Sequence, residues 1–521
     1  MTGTTVLRIK SYIQPFERDL AHRELAALTG VCAEPVDGDG GLWAVPSRSI
    51  GEAGNRLAYW ERLGGAYTDQ VRREAMSLFA RNGVALADLP ALSRERIETK
   101  IPRSRCLRYG PHGIHEYRGK FFPQLVKSLI NISGVRQGTV LDPMCGSGTT
   151  LVEARSSGNR AIGFDMNPLS VFISKTKCSV LDLDSASVVA GYRELQARLS
   201  DASPAAKPQE RLPAEETYLR QWFSDAVLAE LDLIAAALDA LEDRRAALLF
   251  KVSLSNIVRR VSFQKEEDLR VRREHKTIAR EEVKTIFLDE ALRAAKSVAS
   301  HLALPSNGPL GDALISEGDA RSFVRDGRVE PETVDLVITS PPYATALPYL
   351  DTDRLSLSYL GLLARRDHRA RDLEMIGNRE ISEKTRRAQW QHYLDNGSGL
   401  PPSVRALVER VESENEGGTV GFRRKNLGAL LATYFFDMTS VLIQIRQALK
   451  PGGRAYLVVG NNRTRTPAGE IEIRTSELLL DIAEAAGFAE CRRDPMEMLR
   501  SRDIFRENRT PSEHILSLRR Q

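Results

Sequence analysis

The sequence predicts an α/β protein whose mostly parallel sheet carries helices on both faces. Three observations predict it. From about 112 to 180 the pattern runs helix, strand, Gly-rich turn, helix, strand, and strand–helix alternation resumes from about 312. Two short apolar runs, 139–141 and 334–339, stop abruptly at turns rich in glycine or proline, as strands buried on both faces do. Hydrophobic residues make up 42% of the 521, enough to bury a large core without a disulfide or metal staple.

Residues 1–100 read as a small N-terminal α/β module. The stretch 6–13 alternates as a strand does, 42–45 is a second apolar run, and helical spacing covers 17–28, 50–63 and 69–79. No chemical motif stands there, so the module reads as a packing or recognition appendage. The core is expected over 101–180 and 306–521. Between them, 181–305 reads as a mainly helical insertion, entered through a Ser-, Ala-, Pro- and Glu-containing linker at 198–216. A further polar insertion, 364–425, interrupts the second half of the core.

Charge and cysteines narrow the class. Lys and Arg number 74 against 69 Asp and Glu, a net +5 that excludes a polybasic packing protein and an acidic solvating chain. Cys32, Cys106, Cys145, Cys178 and Cys491 are odd in number, scattered, and form no CxxC pair. Neither a disulfide framework nor a metal site is expected. The start carries no apolar leader, and no apolar run approaches the roughly 18 residues of a membrane span. A soluble protein of a reducing cytoplasm, without a membrane partner, is expected.

The first chemical signal is a turn. The strand at 139–141 runs into Asp142-Pro143-Met144-Cys145-Gly146-Ser147-Gly148-Thr149-Thr150, and a helix follows. Glycines let the backbone turn tightly and approach a ligand at the carboxyl end of a parallel strand. No Lys follows Gly148, so this is not a phosphate-cradling P-loop. Leu151 stands where a dinucleotide fingerprint needs its third glycine, so the turn suits a ligand without a pyrophosphate. A second strand, 160–164, ends at Asp165, which suits a ribose diol or serves the helix opened by Asn167-Pro168. A third apolar stretch, 313–315, leads to Gly318-Asp319-Ala320, where Asp319 is either an acceptor for an adenine amine or simply a turn residue.

The second signal is Ser340-Pro341-Pro342-Tyr343, directly after the strand at 334–339. Consecutive prolines fix φ and remove two backbone donors, leaving acceptors aimed outward. A Ser hydroxyl and a Pro carbonyl can accept from an amino group, and a Tyr ring offers a flat face for a base.

Together these residues resemble the S-adenosyl-L-methionine-dependent DNA methyltransferases that modify exocyclic amines. The segment His115-Glu116-Tyr117-Arg118-Gly119-Lys120-Phe121-Phe122-Pro123 is similar to the family's phenylalanine motif, and the stretch from Leu449 to Val459 to a late family strand. Met144 stands where the family usually has Phe. The resemblance implies a Rossmann-like class I methyltransferase sheet. It implies that Tyr117, Phe121, Phe122, Asp142, Pro143, Cys145, Gly146, Ser147, Gly148, Thr149, Asp165, Met166, Asp319 and Ala320 surround the cofactor. Within that set, Asp142 would hold the amino end, Asp165 the ribose and Asp319 the adenine amine. Ser340, Pro341, Pro342 and Tyr343 would hold a flipped base for in-line methyl transfer. Ser in place of Asp or Asn is typical of the branch that makes N4-methylcytosine. Cys145 lies in the cofactor turn and the chain has no Pro-Cys pair, so covalent attack on cytosine C5 is not expected.

The implied partners are double-stranded DNA and a cognate restriction endonuclease. The segment 251–280 carries nine cations against four carboxylates, which equals the whole net surplus of the chain. Arg259, Arg260, Lys265, Arg270, Arg272 and Arg273 are its candidate phosphate contacts, unless they line an ordinary solvated face. Arg103, Arg105, Arg108, Tyr109, Arg118 and Lys120 form a second basic cluster, and 364–425, with Arg365, Arg366, Arg369, Arg371, Arg386, Arg387 and Trp390, is a second candidate reader. Three other functions stay open at this point: N6-adenine methylation, RNA amino-methylation, and a catalytically silent DNA-binding module.

Overall fold

The computed structural model describes residues 3–36, 41–51, 53–117, 121–201, 211–265, 272–274, 276–306, 308–344, 349–378, 381–416, 421–497 and 509–521. The N-terminal strands are β1 (Thr4–Ile9), β2 (Glu34–Pro35), β3 (Leu42–Pro46), β4 (Trp60–Leu63) and β5 (Ala66–Tyr67), ordered β2-β3-β1-β4-β5 in an antiparallel sheet. Helices Pro15–Thr29 and Asp69–Arg81 flank it. The helical spacing at 50–63 does not survive. Only Ala53–Arg56 is helical, and Trp60–Leu63 pairs with β1 because Trp60 is fully buried there and its indole N–H donates to Ala21 O at 3.0 Å.

The central sheet is built from β6 (Thr139–Asp142), β7 (Arg160–Asp165), β8 (Ala313–Glu317), β9 (Val334–Thr339), β10 (Leu449–Thr466), β11 (Gly469–Ile473), β12 (Phe488–Glu497) and β13 (Arg509–Arg520). Its order is β12-β13-β10-β9-β6-β7-β8, with β11 paired to β10. The ladders from β8 to β10 are parallel, and β13 runs antiparallel to both of its neighbours.

Strand alternation decides which side chains meet which helices. Val140, Leu336, Ile338, Tyr456 and Val458 point to one face, where helices Pro123–Ser133 and Thr149–Ser156 cover them. Leu141, Val337, Ala455, Leu457 and Val459 point to the other, under the long helix Leu427–Ala448. That helix is long and apolar enough by composition to cross a bilayer, and here 67% of its most apolar window is buried in the protein. The first face also takes Leu7, Ile9, Leu20, Tyr59 and Trp60, so the N-terminal module and the central sheet share one apolar core.

The insertion is helical as expected: Ser185–Asp201, Pro213–Arg220, Asp225–Asp239, Arg244–Val258 and Arg280–Leu302. Its Phe250, Leu254 and Ile257 pack with Leu169 and Ile173 of the helix Pro168–Ser179. That helix starts where the sequence says it should, with Pro168 in its first turn and the Asn167 side chain accepting from Leu169 N–H at 3.0 Å.

Candidate active site

After β6 the chain steps to β7 and β8 on one side, then returns to lay β9 against the other side of β6. The two strands that carry the sequence motifs are therefore neighbours, paired at Val140–Leu336 and Leu141–Val337. The point where strand order reverses is where an open α/β sheet opens a crevice at its carboxyl edge. A cavity lies there. The Gly-rich turn, Asp165, Met166, Ala320 and Ser340-Pro341-Pro342-Tyr343 line it together, with Tyr117, Phe121 and Phe122 from the preceding segment.

Gly146 and Gly148 have φ of 47° and 78°, the left-handed region that favours glycine. A Cβ on Gly146 would lie 3.2 Å from the Tyr117 ring, and one on Gly148 would lie 2.8 Å from Ser174 Oγ. Gly148 thus shapes the turn as the residue before the helix Thr149–Ser156, while Pro143, Cys145, Gly146, Ser147 and Thr149 form the wall. Tyr117 is pinned over the turn by a 2.8 Å hydrogen bond between its hydroxyl and Ser170 Oγ.

Two carboxylates lie at this wall, Asp142 buried and Asp165 half-buried. Asp165 accepts from Gly146 N–H and Asn167 N–H, each at 2.8 Å, so it locks the turn and the next helix together. Burial pushes its carboxyl up to about 6, opposed by those backbone donors. Each oxygen keeps a lone pair for a ligand hydroxyl. Burial pushes Asp142 further, to about 7, and Met144 N–H donates to it at 3.2 Å. The Cys145 thiol is buried and pushed well above its usual range by desolvation first and by Asp165 and Asp142 next, which makes it inert as a nucleophile.

Asp319 departs from its expected place. Its carboxylate is bonded to the Arg321 guanidinium (2.7–3.0 Å), which in turn reaches Asp437 at 2.9 Å. The cavity wall is made by its neighbours Gly318 and Ala320. This ion pair with an arginine two residues on is revealed by no turn motif.

At the other end of the cavity, Ser340 Oγ–H donates to Val458 O of β10 at 3.0 Å. The Tyr343 hydroxyl donates to Glu513 of β13, and the Cε2–Cζ edge of its ring lies close to Gly460, where a Cβ would come within 2.7 Å. Met375 and Ile376 of the 364–425 insertion close the wall, and a Cβ on Gly377 would lie 3.2 Å from Tyr343 O. Met375, Ile376, Val458, Met496 and Glu513 all line the cavity and carry no local motif in the sequence. Glu513 is delivered by strand direction alone. Because β13 is antiparallel, its beginning lies at the edge where the other strands end.

The basic segments divide. Arg260, Lys265, Arg272 and Arg273 are exposed, and Arg259 donates to Lys265 O at 3.2 Å. Arg270, Arg118 and Lys120 lie outside the described residues. In the second insertion Arg371 and Arg386 are used internally, while Arg366, Arg369 and Arg387 are exposed. Arg371 donates to Met166 O (2.6 Å) and Glu317 (3.1 Å), Arg386 and Arg387 bond Glu383, and Trp390 stacks on Tyr393 at 4.9 Å.

S-adenosyl-L-methionine fits this donor set. A glycine turn admits close approach of a ligand, the carboxylates of Asp142 and Asp165 offer acceptors for its polar groups, and Tyr117, Phe121, Phe122 and Met166 offer apolar surface.

Residues 74–175 match the family described as DNA methylase. The Type II methyltransferase M.BsoBI of Geobacillus stearothermophilus is 24% identical over 426 residues, covering 72% of this chain and 78% of that protein. The Type II methyltransferase M.MvaI of Kocuria varians is 23% identical over 391 residues, covering 70% and 80%. Among solved structures, TrmN from Thermus thermophilus aligns at 13% identity with a TM-score of 0.34, over 100% of each chain. The family match takes in the Gly-rich turn and the helix and strand around it, and the two relatives extend the likeness along most of the chain. Residues 74–175 thus carry the likeness to the amino-group (N6/N4) DNA methylases, which use S-adenosyl-L-methionine, and most of the chain is similar to Type II methyltransferases.

Proposed function

We propose that this chain is a sequence-specific DNA methyltransferase that methylates the exocyclic N4 of a cytosine flipped out of the duplex, alongside a cognate restriction endonuclease. One observation carries the reading. Ser340 spends its only proton on Val458 O, so its Oγ presents lone pairs to the cavity. Pro341 and Pro342 have no N–H to offer. This end of the cavity is rich in acceptors, and an exocyclic amine is the group that donates.

When bound, the cofactor supplies an electrophilic methyl on its sulfonium. The protein's part is positioning. Tyr343 gives the base a stacking face, and Ser340 Oγ with the Pro341 carbonyl holds both amine hydrogens, turning the nitrogen lone pair toward the methyl. Attack leaves the nitrogen cationic, and it then loses a proton without a strong base. Flipping costs a few kcal/mol, offset by stacking and hydrogen bonds in the pocket. Arg259, Arg260, Lys265, Arg270, Arg272 and Arg273 would contact phosphates.

The test is transfer of labelled methyl to duplex DNA, followed by digestion and mass analysis of the nucleosides. N4-methylcytosine is expected. N6-methyladenine would overturn the base assignment, and label in tRNA but not DNA would overturn the substrate. The double variant Ser340→Ala, Tyr343→Ala should bind cofactor normally and transfer no methyl.

A further inference from the structure

We infer that Glu513 is a positioning residue of the methyl-transfer site, acting through Tyr343 in two ways: it fixes the ring and it enriches the ring's electrons. The inference rests on the proposal that Tyr343 stacks on the target base.

Tyr343 is held at two points. Its ring edge lies close to Gly460 of β10, and its hydroxyl donates to the Glu513 carboxylate of β13. Both partners are set by the β10–β13 ladder, which pairs Gly460 with Glu513 directly. The clamp is therefore built on one rung of the sheet. Glu513 and Tyr343 line the same cavity as Ser340.

A tyrosine that donates to a carboxylate gains negative charge on its ring. The target amine becomes positive as the methyl arrives. A ring face of raised electron density attracts a cationic partner more strongly, so the Glu513–Tyr343 pair favours the transition state over the neutral base. A carboxylate that merely braced the fold would not act selectively on that step.

Glu513→Gln keeps an acceptor for the hydroxyl and removes the charge. Its kcat should fall roughly tenfold with KM for DNA within about twofold, the size expected of one charge acting across the width of a ring at a partly screened site. Tyr343→Phe should lose the same roughly tenfold, and the double variant should lose no more than either single one. Cofactor affinity and the unfolding midpoint should not move. Losses that multiply in the double variant, or a Glu513→Gln with wild-type kcat beside an inactive Tyr343→Ala, overturn the role of Glu513. Full activity in Tyr343→Ala overturns the stacking proposal itself.

Discussion

Gly460 offers a direct test of how closely the base platform must be placed. Its backbone is extended, so alanine there adds no strain of its own. The added Cβ, however, would lie 2.7 Å from Tyr343 Cε2 and 2.8 Å from Cζ, where ordinary contact starts at 3.4 Å. The ring, a side chain against backbone tied to Glu513 in the β10–β13 ladder, should then retreat by about 0.7 Å. Displacements near 1 Å at a reacting centre cost about a hundredfold. Gly460→Ala should therefore lower kcat/KM for DNA by up to about a hundredfold. Cofactor affinity should stay at the wild-type value, because the residues expected around the cofactor lie at 117–122, at the ends of β6 and β7 and after β8, and none of them is on β10. The assay is steady-state methylation of a duplex carrying the site, with cofactor binding by calorimetry. Wild-type kcat/KM in Gly460→Ala, with the cavity change verified by crystallography, would refute the view that Tyr343 must be held where it is.

Three further outcomes are expected. Asp142, raised to about 7 by burial, is protonated below that pH and uncharged; with the role we propose for it at the cofactor's amino end, cofactor binding should weaken as pH falls, approaching about tenfold per unit well below it. Calorimetry on Asp142→Asn should show weak binding without that slope, and a flat wild-type profile would count against the assignment. Replacing Arg260, Lys265, Arg272 and Arg273 by Ala one at a time should each reduce the salt dependence of DNA binding by about one counterion, with uniform loss across sequences; an unchanged salt slope in all four would move the phosphate face elsewhere. Lys10 and Glu74 form a 2.7 Å pair whose side chains are 2% and 1% exposed, and Lys10→Met strands the carboxylate although Gln70 and Gln124 still donate to it. Denaturant unfolding should show a loss of about 3 kcal/mol, while a change below the noise would mean the pair adds no net stability.

Parts of the molecule that rely on nearest-neighbour chemistry were readable from sequence. Apolar runs ending in Gly or Pro turns marked β6, β7 and β9, and Asn167-Pro168 marked a helix start. What depends on distant partners was not. Asp319 could not be seen to favour Arg321 over a ligand, because an i, i+2 pair forms only where the turn bends it back. Trp60 sits in a window of helical spacing, yet tertiary pairing with β1 makes it a strand residue. Glu513 meets Tyr343 across 170 residues of chain, so only strand order and register reveal it. The arginines of 364–425 looked like a nucleic-acid surface by composition, but Glu383, Glu317 and Met166 O take several of them.

Because the Gly-rich turn and Ser340-Pro341-Pro342-Tyr343 end adjacent strands, their separation is fixed by one hydrogen-bonded ladder. The long stretches of chain that leave β7 and return at β8, and that leave β9 and return at β10, do not enter into it. Those excursions can therefore be lengthened, shortened or exchanged while the spacing between the two motifs stays the same.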